Sequence, residues 1–92
     1  MNEPVDPDKT EARFTYSLDL YLNAGIRPGD FLYCVLCNDL KGAIQRADVY
    51  SQVNLKHIVA YLIEFFPPNR WGSEKNVHTH LREVSKQLYG KD

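Results

Sequence analysis

Charge of either sign is not in excess in this sequence. Its formal net charge is −1 over 92 residues, so no global field draws it to nucleic acid or to an anionic membrane. Long apolar runs are missing as well. None reaches the roughly eighteen residues that mark a membrane-spanning helix. The opening residues, MNEPVDPDKTEARF, lack the basic and apolar regions of a signal peptide, which predicts a cytoplasmic protein. Strand signals are missing too. There is no alternating run, no Asn-Gly or Asp-Gly hairpin and no internal repeat. Catalytic signatures are equally scarce: no G-x-S-x-G, H-E-x-x-H, P-loop or glycine-rich dinucleotide turn occurs. The expectation is therefore a protein that is not an enzyme and carries no cofactor or metal.

Cysteine is nearly absent. Cys34 and Cys37 form a lone C-x-x-C inside a helical pattern, whereas redox pairs open a helix after a strand. A structural zinc site needs four ligands, and there is no second C-x-x-C. His78 and His80 point apart on a helix and make a poor metal pair.

What is present is apolar residue at helical spacing. Hydrophobic content of 43% and aromatic content of 12% are those of a folded chain. The expected fold is all-α: one small four-helix domain over residues 9–92 with short connections, after a loose acidic arm at residues 1–8. Asp8 or Thr10 can cap a first helix running to about Ala24. Phe14, Leu18, Tyr21 and Leu22 form its stripe, and Gly25 ends it. Pro28 suits the first turn of the second helix, and Asp30 complements its positive end. Phe31, Leu32, Val35, Leu36, Leu40, Ala43, Ile44 and Ala47 give one stripe. It predicts a continuous or kinked helix to Ala47, with a break near Asn38 and Asp39 as the alternative. Asp48 caps a third helix over about Val49 to Phe66, which Pro67 and Pro68 stop. Ser73 caps a last helix with Val77, Leu81, Val84 and Leu88 on its stripe, and Gly90 ends it.

Three groups of residues can carry chemistry. Asp39, Gly42 and Arg46 share the apolar face of the second helix, with Asn38 at its edge. They form either a structural ion pair or a notch in which Gly42 admits a ligand and Arg46 holds phosphate or carboxylate. The loop Asn69, Arg70, Trp71, Gly72, Ser73 combines a cation, a flat indole and a helix N-terminus, which suits a nucleotide. The alternative is that Trp71 plugs the core and Arg70 is solvated. Tyr50, Asn54, His57, Tyr61 and Glu64 line one side of the third helix at spacings of 4, 3, 4 and 3. This is either a solvated face or a contact between copies, with Tyr16 and Leu20 as the fallback interface.

The pattern G-I-R-P-G-D-F-L-x-x-V-L-x-N-D-L (Gly25 to Leu40), then R-A-D (Arg46 to Asp48) and P-x-x-x-W-G-S (Pro67 to Ser73), resembles a group of small bacteriophage and prophage proteins. The resemblance spans residues 20–85. It implies a phage-encoded cytoplasmic accessory protein and supplies no activity.

Together these readings predict a non-enzymatic binding protein acting by occupancy on a host or defence component. It would sequester a small anionic ligand, such as a nucleotide signal, through Asp39, Arg46, Arg70, Trp71 and Ser73. The alternative is a module gripping a host protein through its tyrosine face. A further alternative is a small DNA-binding regulator, which the single Lys and absent Arg of Val49 to Phe66 disfavour. A homo-oligomer is expected in either binding case.

Overall fold

A computed structural model describes residues 12–90, with the side chains of residues 12, 13 and 50 outside that description. The expected arm at residues 1–8 and the caps Asp8 and Thr10 lie outside the described residues. Five helices follow in order: α1 (Ala12–Ala24), α2 (Asp30–Leu36), α3 (Leu40–Arg46), α4 (Val49–Phe65) and α5 (Glu74–Tyr89). A 3-10 turn, Pro68–Arg70, precedes α5. The fold is all-α, and no strand occurs among the described residues. No described helix is long and apolar enough to cross a membrane.

α1 buries Phe14, Leu18 and Tyr21 along one stripe. Gly25 ends it at φ +67°, a left-handed conformation that glycine adopts without strain. The amides of Gly25 and Ile26 return to the carbonyls of Tyr21 and Leu20, which satisfies two of the orphan acceptors at the helix end.

The second helix expected from periodicity is two helices. α2 stops at Leu36, and Asn38 turns the chain at φ +61°. Asparagine tolerates this region better than most residues because its short polar side chain bonds locally. Asp39 then caps α3, its Oδ1 accepting the Gly42 amide at 2.9 Å. α3 folds back against α2. The break therefore wins over the continuous helix, and the count is five helices rather than four. It also turns residues expected in the core outward: Leu40 is 67% exposed and Ile44 is 41% exposed.

Removing the cap is a direct test of the break. Asp39→Ala should cost about 1 kcal/mol, and Asp39→Asn, which keeps an acceptor, should cost much less. Urea unfolding reads this as a lower midpoint at unchanged slope. Equal midpoints for parent and alanine variant would show that the cap contributes nothing.

α4 begins as the sequence predicts, with Asp48 Oδ1 accepting the Ser51 amide at 2.7 Å. It sends Ile58 and Leu62 into the core, and Phe66 follows just past its end. α5 lies along α1. Ser73 Oγ accepts the Asn76 amide at 3.1 Å to start α5, and Gly90 closes it at φ +68°. Val77, His80 and Val84 are buried, whereas Leu88, expected on this stripe, is 53% exposed near the helix end.

The core gathers at one junction. Tyr21 Oη donates to the Arg70 carbonyl at 2.5 Å, joining α1 to the 3-10 turn. The Gly72 amide donates to the Leu36 carbonyl at 2.6 Å, joining the same loop to the end of α2. His80 Nε2 meets the Tyr21 carbonyl at 2.9 Å from α5. Three helices and the loop thus share one polar knot inside an apolar shell.

Candidate functional site

The α2–α3 break redistributes the first group of candidate residues. Asp39 is exposed and spends an oxygen on the α3 cap. Gly42 is buried but offers no notch. A Cβ there would sit 2.3 Å from Asp39 Oδ2 and 3.1 Å from Cys34 Sγ, so the space is already filled. Asp39 and Arg46 do not pair with each other, since the only ion pairs among the described residues are Arg27–Asp30 and Arg70–Glu83.

Arg46 ends up in a different place. It lies at the last turn of α3, and its Nη1 reaches the Gly42 carbonyl at 3.4 Å. From there it borders a cleft of about 400 Å³ between α1, α2, α3 and the start of α4. Phe14, Phe31 and Leu32 supply the apolar lining, and Ser17 and Ser51 supply hydroxyls. The Phe14 and Phe31 rings meet edge to face, centroids 6.2 Å apart. A second recess of about 210 Å³, bounded by Arg27, Asp30, Tyr33 and Cys34, opens on the other side of Arg46. Two carboxylates share the walls of the larger cleft. Asp48 holds the α4 cap, and Asp30 faces Arg27 at 3.4 Å. Arg46 has no carboxylate at ion-pair distance among the described residues and is the one cation among the side chains that line the cleft.

The loop group does not join it. The Arg70 guanidinium is held by Glu83, and together they border a separate groove against α5. Trp71 packs on the core, and its carbonyl accepts the Asn76 side-chain amide at 3.0 Å. Ser73 caps its own helix. The α5 N-terminus is thereby occupied by its own chain. Of the five residues expected to hold a ligand, Arg46 alone borders the cleft.

The tyrosine line is partly consumed within the chain. Tyr61 donates to Asp19 of α1 at 3.0 Å and packs beside Phe65 and Phe66. Asn54 and His57 are half-buried, and Glu64 is exposed. The Tyr50 side chain lies outside the described residues. Tyr16, on the fallback face, is 68% exposed.

The C-x-x-C sits at the end of α2. Cys34 is buried and Cys37 half-buried, and both are free. Burial pushes the Cys37 thiol up, with neighbouring acidic groups adding to it and a hydrogen bond from Tyr33 opposing it. A reactive thiol needs the opposite shift. No group of three metal-ligating side chains occurs among the described residues.

Two features escaped the sequence reading. One is the cleft lining, since Phe14, Phe31 and Ser51 come from three helices and no local spacing announces their meeting. The other is the outer face of α4, where Val49, Val53 and Ile63 stand exposed. With Lys56 and Ala60 they form a row at spacings of 4, 3, 4 and 3 on the side opposite Ile58 and Leu62. The chain matches no protein-family model, no curated protein and no solved structure.

Proposed function

We propose that this chain is a non-enzymatic binding protein that acts by occupancy, holding a small anionic ligand in the cleft beside Arg46. The supporting observation is the Arg46 guanidinium, without an ion-pair partner among the described residues, in the lining of a partly apolar cleft. A guanidinium fork binds phosphate or carboxylate through two parallel hydrogen bonds. The half-buried Phe31 ring would lie against the flat or apolar part of the same ligand, and Ser17 or Ser51 would add a hydroxyl contact. A nucleotide has this chemistry. The resemblance to small phage proteins would place the activity inside an infected cell, where withdrawing a nucleotide signal disables a host or defence component.

Thermal shift against cyclic and linear nucleotides tests this reading. A ligand at a hundred times its dissociation constant should stabilise the fold by about 2.7 kcal/mol. Arg46→Ala should abolish the shift while leaving the ligand-free melting point near the parent's, because Arg46 is exposed. A parent protein that responds to none of these ligands sinks the proposal. A second reading, an interaction module working through α4, draws on the exposed apolar residues of that helix.

A further inference from the structure

α4 is apolar on two sides. Its inner side carries Ile58 and Leu62, both fully buried. Val49, Val53, Lys56, Ala60 and Ile63 run along the opposite side at spacings of 4, 3, 4 and 3, which aligns them on one face. Val49 is 77% exposed, Val53 66% and Ile63 70%. Scattered exposed valines need no explanation, but an aligned row of them along a helix is the mark of a contact surface. A small apolar dimple of about 50 Å³ between the helices is lined by Val59 of α4 and by the exposed Leu40 of α3.

The charges on this face identify its occupant. Lys56 lies four residues before Ala60, and Glu64 lies four residues after it. Both are exposed and neither has an ion-pair partner among the described residues. The face is therefore self-complementary. A two-fold axis through Ala60 would set two copies of α4 antiparallel. Lys56 of each copy would then lie opposite Glu64 of the other, twice over. The smallest side chain of the row would stand on the axis, where the backbones come nearest. Ile63 of each copy would flank it, and Val53 would lie opposite the exposed Pro67 just past the end of the other copy's helix. An unrelated partner would need the reverse charge pattern at the same separation, whereas a second copy carries it by symmetry.

We infer that the outer face of α4 is the seam of an antiparallel homodimer, centred on Ala60 and registered by two Lys56–Glu64 pairs. The expected tyrosine line would flank this seam rather than form it, with Glu64 shared by both. With the axis on Ala60 the two helices overlap over residues 55–65, a length of about 15 Å. A contact of this size falls at the small end of specific interfaces, so the dimer should dissociate in the micromolar range. The seam does not depend on the Arg46 cleft, and a ligand-blind protein could still dimerise.

Sedimentation equilibrium from low to several hundred micromolar tests the seam. The parent should pass from monomer to dimer. Lys56→Glu and Glu64→Lys each set like charges together, and each should weaken the dimer by at least about tenfold. The double swap, Lys56→Glu with Glu64→Lys, should restore parental association, because each pair is rebuilt with its sign reversed. Circular dichroism should show all four proteins equally folded. A parent that stays monomeric throughout, or capture of a different protein by a monomeric chain, overturns the inference. A dimer indifferent to the single swaps, or a double swap that fails to restore it, overturns this register and seam.

Discussion

Tyr21→Ala should remove about 3–5 kcal/mol of stability, as truncations of large buried aromatics do. For a domain of this size that is a large share of the whole. Tyr21 is completely buried, and three attachments converge on it. Its ring lies against the His80 imidazole, centroids 4.5 Å apart. Its hydroxyl donates to the Arg70 carbonyl, and its own carbonyl meets His80 Nε2. Burial pushes its phenol far up, so the hydroxyl stays protonated and remains a donor. Truncation would open a cavity and also leave the Arg70 carbonyl without this partner. Tyr21→Phe separates the two effects. It keeps the ring and loses one hydrogen bond, for about 1 kcal/mol. Urea unfolding of both variants checks the ranking. A phenylalanine variant as unstable as the alanine variant would show that the hydroxyl, rather than ring packing, holds the knot.

The parts of this fold that were legible are those set by local chemistry. Asp48, Ser73, Gly25 and Gly90 mark helix ends in the sequence and do so in the structure, because a cap is decided by residues within one turn. The Asn38–Asp39 break was visible for the same reason but was outweighed by periodicity. Leu40 and Ile44 continue the apolar row of α2 at helical spacing, and that row implied a common core. In the folded chain they belong to a reversed helix and face outward. Periodicity reports which residues share a face of a helix and cannot report whether the helix turns back.

The candidate site was less legible than the fold. Arg46 stood out as a cation in an apolar row, and it does border a cleft. Its neighbours there, Phe14, Ser17 and Ser51, are distant in sequence and come from other helices. Arg70 and Trp71 looked like ligand residues because a cation, an indole and a helix start are adjacent in the chain. Their actual partners, Glu83 and the core, come from tertiary packing. The same cause hid the outer face of α4. Its valines read as ordinary helix until Ile58 and Leu62 took the inside.

Acid should loosen this fold through His80. The imidazole is 2% exposed, with the Tyr21 ring beside it and Arg70 and Glu83 as the nearest charges acting on it. Nε2 sits 2.9 Å from the Tyr21 carbonyl and donates to it, which leaves Nδ1 as the unprotonated nitrogen. Nδ1 is buried with no hydrogen-bond partner. A proton added there would create a charged donor with nothing to accept from it. Burial accordingly lowers the pKa of His80, reinforced by Arg70 and opposed by the backbone of Tyr21 and Leu22 and by Glu83. In the unfolded chain the same imidazole takes its proton near pH 6.5. Below that pH the unfolded state binds more protons than the folded state, so stability falls as the pH falls. The loss continues until the pH passes the lowered folded value, where the two states bind equally. Above neutral pH this group makes no difference. Urea midpoints of the parent should therefore drop between pH 7 and pH 5. His80→Gln keeps an amide donor for the Tyr21 carbonyl and removes the titration. It should start less stable at pH 7 and lose less on acidification. Parallel curves for parent and variant would show that His80 does not set the acid sensitivity.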